Sequence, residues 1–77
     1  MRIQNSISGT MKAGEMLNFL RQMKSLDFMK VDHDSDAGTV RIYQGAQQVY
    51  WAIQKSGNSA AWIVQWDSKV FGPPLVG

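Results

Sequence analysis

Apolar residues between Met11 and about Leu26 recur at the spacing of an amphipathic helix. They occupy positions i, i+3, i+4 and i+7, and polar residues share the opposite face. The apolar stripe consists of Met16, Phe19, Leu20, Met23 and Leu26. Ser8 and Thr10 precede this stripe and are candidate N-caps, because a hydroxyl oxygen there can accept a hydrogen bond from a free backbone N–H. The pattern predicts one helix over residues 11–26.

After this helix the hydrophobic period falls to about two residues, which is the period of strands with one buried face. Four segments alternate in this way, and β-branched and aromatic residues dominate the last three. They are FMKVD (28–32), TVRIYQ (39–44), QQVYWAIQ (47–54) and AAWIVQW (60–66). Gly45 suits a tight hairpin turn, and KSGNSA (55–60) suits a longer hairpin loop. A short further strand is expected at Val70 and Phe71, before two prolines stop the ladder.

The order of these elements predicts a single small α+β domain over residues 1–77. One N-terminal amphipathic helix packs on a three- to four-stranded antiparallel β-meander. Residues 1–9 form either an edge strand or a loose arm, since Ile3, Asn5 and Ile7 share one parity. Residues 72–77 are expected to be a tail.

The alternation divides the predicted sheet into two faces. The more apolar face carries Val40, Ile42, Val49, Trp51, Ile53, Trp62, Val64 and Trp66, and we expect it to meet the helix. The other face is amphipathic and carries Ala52, Ala61 and Ile63 among polar and aromatic residues. Its candidate partner-binding residues are Arg41, Tyr43, Gln48, Tyr50, Gln54 and Gln65.

Composition limits the functional classes only weakly. Eight Lys and Arg against six Asp and Glu give a formal net charge of +2, and the basic residues are scattered instead of forming the stripe that nucleic-acid binders usually carry. Without cysteine, neither a disulfide framework nor a cysteine zinc site is available. Because there is no secretory signal pattern and no apolar run of about 18 residues, we expect a cytoplasmic protein that does not enter a membrane.

The segment VDHDSDAGTV (31–40) raises the question of a metal site. Its aspartates at positions 32, 34 and 36 have the spacing of the first three ligands of a calcium loop. However, Ala37 stands where that loop requires glycine, and Tyr43 stands where it requires a bidentate glutamate. His33 is the only histidine, so the sequence offers too few of the ligands that a zinc site needs. We therefore interpret the segment as a turn between two strands and predict no metal site.

No catalytic set can be assembled from the sequence. The carboxylates cluster in one solvated loop, whereas acid–base catalysis needs them on opposite sides of a cleft. No Gly-rich phosphate loop occurs either. We therefore predict no catalytic residue, no cofactor and no small-molecule substrate.

The amphipathic sheet face carries the functional prediction. Tyrosine and arginine are enriched in interfaces because they combine contact area with a polar tip. We expect a non-enzymatic binding or regulatory module that docks on a protein partner, or homodimerises, through this face. Such a module would be an adaptor or an inhibitor, of the kind that viruses and mobile elements encode. The alternative is a nucleic-acid-binding regulator whose tyrosines stack on bases while Arg41 contacts phosphate.

Overall fold

The computed structural model describes residues 3–55 and 60–72 of the chain. In chain order, this part contains β1 (Ser6–Lys12), α1 (Ala13–Lys24), β2 (Met29–Asp34), β3 (Thr39–Gln44), β4 (Gln47–Gln54), β5 (Ala61–Asp67) and α2 (Ser68–Phe71). The α+β class is confirmed, but the sheet has five strands instead of the predicted three to four. The centre of the KSGNSA loop (56–59) and most of the expected tail (73–77) lie outside the described residues.

The sheet is antiparallel, with the strand order β1-β5-β4-β3-β2. The last four strands in the chain form the predicted meander, and β1 pairs with β5 from Ser6 opposite Asp67 to Lys12 opposite Ala61. Of the predicted segment 1–9, residues 6–9 therefore belong to an edge strand, which is one of the two predicted arrangements. Since β1 and β2 lie at opposite edges, α1 must carry the chain across one face of the sheet.

Helix α1 is shorter than the periodicity of the sequence suggests. Met11 and Lys12 pair with β5 and so belong to a strand. The predicted N-caps are wrong for the same reason, because Ser8 and Thr10 lie within β1. Instead, a carboxylate oxygen of Glu15 accepts the backbone N–H of Lys12 at 2.9 Å. A glutamate in the first turn also suits the positive end of the helix dipole.

One hydrophobic cluster lies between α1 and the sheet, and we call this side of the sheet the helix side. Its buried members are Met16, Leu20, Val40, Ile42, Val49, Tyr50, Ala52, Trp62 and Val64. Phe19, Met23 and Trp66 are half-buried and pack against them. Burial of a large apolar side chain contributes about 1.5–3 kcal/mol, so this cluster is the main source of stability.

A β-bulge in β4 changes which residues reach the helix side. Tyr43 is paired with Gln48, but Ile42 is paired with Tyr50, which leaves Val49 as one extra residue in β4. Beyond the bulge, Tyr50 and Ala52 face the helix and Trp51 takes the opposite side. The predicted sides of β4 are therefore wrong from Tyr50 to Gln54, whereas Val49 lies in the core as predicted.

After β5 the chain forms the short helix α2 instead of the predicted strand at Val70 and Phe71. The buried side chain of Asp67 caps this helix by accepting a first-turn backbone N–H at 2.9 Å. The ring of Phe71 packs on the helix side, 5.8 Å from the ring of Tyr50. Both helices therefore lie on one side of the sheet.

Candidate binding face

The side of the sheet opposite the two helices is here called the outer face. Its members follow from the register, because cross-strand partners share a face. One row consists of Ser8, Gln65, Trp51, Arg41 and Asp32, and the next consists of Thr10, Ile63, Ile53, Thr39 and Asp34. Within the described residues, no helix lies across these rows.

An apolar strip runs through the centre of the outer face. Ile53 and Ile63 are cross-strand partners, and Trp51 lies two residues from Ile53 on the same strand. Ile63 keeps 43% of its surface exposed, and the other two side chains are half-buried. Along a strand, the residues that face water are usually polar and alternate with apolar residues that face the core. This apolar strip is therefore an unusual feature of the fold.

Charged side chains of both signs flank the strip. Arg41 is the cross-strand partner of Trp51 on one side and of Asp32 on the other. Asp34 ends the second row, at the edge formed by β2, and Lys30 lies opposite Tyr43. The basic groups of this face therefore stand among acidic ones and form no continuous basic track.

The structure divides the six predicted partner-binding residues into two groups. Arg41, Tyr43 and Gln65 lie on the outer face and are half-buried. The other three are Gln48, Tyr50 and Gln54. Gln48 and Tyr50 are buried, with 7% and 2% of their surfaces exposed, so neither can contact a partner in the folded chain. Gln54 is paired with Trp62 and lies on the helix side.

Tyr50 is a core residue, not a surface residue. Its hydroxyl group contacts the sulfur atoms of Met11 and Met16, each at 3.9 Å. The rings of Phe19 and Tyr50 lie 4.7 Å apart. Burial raises the pKa of the Tyr50 phenol, because the charged phenolate would lose its hydration in this environment. The tyrosine therefore stabilises the fold and provides no docking surface.

The structure adds Trp51 to the candidate site in place of Tyr50. The other two tryptophans lie on the helix side as predicted: Trp62 is buried, and the Trp66 indole N–H donates to the carbonyl of Gly72 at 2.9 Å. No sequence signal separates Trp51 from the other two tryptophans, because its strand carries apolar residues on both sides. Only the bulge assigns it to the outer face.

A groove of about 260 Å³ lies on the helix side, between α1 and the end of the sheet. Leu17, Leu20 and Trp62 are apolar members of its lining, and His33, Ser35 and Gln54 are polar members. The His33 ring lies edge-on to the Trp62 ring at 6.2 Å. His33 and Ser35, both within the described residues, share no hydrogen bond of the kind that activates a serine nucleophile.

The aspartate-rich segment forms a turn, as predicted. One carboxylate oxygen of Asp34 accepts the backbone N–H groups of Asp36 and Ala37, at 3.1 and 3.0 Å. Gly38 closes the turn with a φ of 68°, which glycine adopts without strain. Asp32 lies outside the turn because β2 extends to Asp34. Among the described residues, no three His, Cys, Asp or Glu side chains are grouped as metal ligands.

Comparisons with known proteins return no matching family model, no similar curated protein and no similar solved structure. In the described part of the chain, neither helix is long and apolar enough to span a membrane.

Proposed function

We propose that this protein is a non-enzymatic binding module that docks on another protein through the outer face. The observation that carries the proposal is the apolar strip of Trp51, Ile53 and Ile63, on the side of the sheet opposite both helices. The fold does not use this strip in the core between helix and sheet. Exposed apolar surface of this kind, rimmed by polar residues, is typical of protein interaction sites.

The residue types at the centre of the outer face are those that often contribute most of the binding energy in an interface. Tryptophan, tyrosine and arginine dominate the few positions that carry most of the binding energy in protein interfaces. Trp51 lies at the centre of the sheet beside Arg41, and Tyr43 follows Arg41 on the same side of β3. Ser8, Thr10 and Gln65 supply a polar rim with hydrogen-bonding groups. This arrangement of an aromatic centre and a polar rim matches the anatomy of a protein interface.

Charge favours a protein partner over a nucleic acid. Arg41 has Asp32 as its cross-strand neighbour, and Asp34 lies in the adjacent row. A nucleic-acid platform needs several cations that together follow the phosphate backbone, and acidic neighbours oppose this. The alternative nevertheless has a physical basis, because Trp51 and Tyr43 are aromatic groups on which bases could stack.

The test uses affinity capture with the chain as bait, comparing two outer-face variants with a control on the other side. Trp51→Ser and Ile63→Lys should each abolish capture of the partner by removing or charging the apolar strip. Leu17→Ser is the matched control, since Leu17 is 59% exposed but lies on α1. We expect it to bind normally. Thermal unfolding should confirm that all three variants fold.

Two results would redirect the proposal. If the partner is retained by both outer-face variants and lost by Leu17→Ser, the binding surface is the helix and not the sheet. If the captured molecule is a nucleic acid, a gel shift should show affinity that falls steeply with salt and is lost on Arg41→Ala. That outcome would establish the nucleic-acid alternative.

A further inference from the structure

The two edges of the sheet differ in how well they are protected against pairing with another strand. The β2 edge carries Lys30, Asp32, His33 and Asp34 within six residues. Charged side chains are a common means of preventing strand addition at an edge. The β1 edge, Ser6–Lys12, contains one charged residue at its end, no proline and no bulge. Of the two edges, β1 is therefore the less protected against pairing with another strand.

The hydrogen-bonding pattern shows which backbone groups of β1 point away from the sheet. The N–H of Ala13 donates to the carbonyl of Ala60 at 2.9 Å, which continues the β1–β5 register by one residue. In an antiparallel sheet, successive residues direct their N–H and C=O groups to alternate sides of the strand. Residues 7, 9 and 11 therefore face β5, and residues 6, 8, 10 and 12 face the open edge.

Within the described residues, three of these four outward backbone N–H groups have no hydrogen-bond partner. The N–H of Lys12 is occupied by Glu15 at 2.9 Å. Within residues 3–55 and 60–72, no loop or helix backbone group bonds to the main chain of Ser6, Ser8 or Thr10. Unpaired strand groups of this kind are a ready template for a second strand.

We propose that β1 pairs antiparallel with β1 of a second copy of this chain, on a two-fold axis that passes by Gly9. In this register Ser8 lies opposite the partner's Thr10, and Thr10 lies opposite the partner's Ser8. Each of these pairs exchanges two main-chain hydrogen bonds, because residues 8 and 10 both face the edge. The pairing is isologous and therefore closes at a dimer.

The side chains fit this register on both faces of the sheet. On the helix side, half-buried Ile7 meets the partner's Met11, so apolar groups pair with apolar groups. On the outer face, the hydroxyl of Ser8 meets that of the partner's Thr10. Ser6 meets the partner's Lys12, and no like charges are opposed. An axis that passes by Ser8 instead would set Ile7 against glycine and would lose the apolar pair.

This dimer joins two five-stranded sheets into one continuous sheet with both pairs of helices on the same side. The two outer faces then form one extended surface that carries two copies of Trp51. The dimer contact uses only β1 and none of the apolar strip of Trp51, Ile53 and Ile63, so it can be tested separately from whatever binds that strip.

The first test compares Ser8→Pro with Ser8→Ala by analytical ultracentrifugation, from micromolar to millimolar concentration. Wild type and Ser8→Ala should approach twice the 8.6 kDa chain mass. Ser8→Pro removes an outward N–H without removing a bond to β5, and proline is tolerated on edge strands. The dissociation constant should rise at least about tenfold, since each dimer loses two hydrogen bonds.

A pair of double variants tests the register and does not depend on whether proline is tolerated. Ser8→Lys with Thr10→Lys places like charges opposite each other across the axis and should abolish the dimer. Ser8→Lys with Thr10→Glu places opposite charges there and should restore it. A wild-type chain that stays monomeric throughout, or two double variants that dimerise equally, would overturn the proposal. A dimer lost in Trp51→Ser but kept in Ser8→Pro would also overturn it, and would place the second copy on the outer face.

Discussion

Replacement of Tyr50 by phenylalanine should remove a specific loss of stability at alkaline pH. The Tyr50 hydroxyl is buried against two methionine sulfur atoms, and this burial raises its pKa above the ordinary value of 10.0. Above that ordinary value, the unfolded chain releases the phenolic proton while the folded chain keeps it. The unfolded state then binds fewer protons, so the free energy of unfolding falls as pH rises.

The expected size of the effect follows from the release of one phenolic proton when the chain unfolds. The free energy of unfolding should decrease by about 1.4 kcal/mol for each pH unit above 10. Between about pH 10 and pH 11.5 the loss is therefore about 2 kcal/mol, a large part of the stability expected for a chain of this size. Below pH 10 the phenol is protonated in both states, and the contribution is constant.

At neutral pH, Tyr50→Phe should change the free energy of unfolding by less than about 1 kcal/mol. The ring keeps its packing against Phe19 and Phe71, and the hydroxyl gives up only two long contacts to sulfur. In contrast, Tyr50→Ala should cost about 3–5 kcal/mol, because it opens a cavity under α1.

The assay is urea unfolding of each variant, followed by circular dichroism at a series of pH values from about 8 to 11.5. Tyr43→Phe is the matched control, since it removes a half-buried tyrosine from the outer face. Wild type and Tyr43→Phe should share the alkaline slope, whereas Tyr50→Phe should lack it. Equal slopes in all three proteins would show that another group causes the alkaline loss and would refute the reasoning.

Three further predictions concern glycines, a turn and a side-chain hydrogen bond, all measured as the free energy of unfolding. Gly9→Ala should destabilise by about 1–3 kcal/mol, because its Cβ would lie 3.2 Å from the Trp66 ring. Gly14→Ala should instead stabilise by about 0.4–1 kcal/mol, since the new Cβ meets nothing within 4 Å beyond its chain neighbours and the backbone of its own helix. Similar effects for both glycines would contradict this. Asp34→Ala should cost about 1 kcal/mol by removing the acceptor of two turn N–H groups, and Asp34→Asn should recover part of it. Trp66→Phe should cost at least about 1 kcal/mol through loss of the bond to Gly72, and an unchanged stability would show that this bond contributes nothing.

Hydrophobic periodicity alone located most of the elements. The bounds predicted for β3 and β4 match the structure, and those for β2 and β5 differ by one or two residues. The first strand was harder to place, because its apolar residues Ile7 and Met11 also fit a loose arm followed by a helix. Its pairing with β5 joins residues 49 to 61 positions apart, and local pattern carries no information about such a contact.

The candidate site could be predicted only in part, and for Tyr50, Trp51 and Gln54 the reason lies in a single residue. In a regular two-residue hairpin around Gly45, Val49 would pair with Ile42 and enter the core together with Trp51 and Ile53. That is the arrangement that the sequence favours. The extra residue in β4 shifts Tyr50 to the position opposite Ile42 and so reverses every side chain that follows it. Arg41 and Gln65, on strands without a bulge, were assigned to the correct face.

The sequence by itself therefore determined that a helix and a set of antiparallel strands form, because each has its own period of apolar residues. It also determined the aspartate turn, since the turn depends on contacts between near neighbours. Only the tertiary structure decided which side of β4 faces the helix and which strands form the two edges of the sheet. Alternation shows that a strand has two faces, but when both are apolar the choice depends on packing between distant residues, here Phe19 against Tyr50.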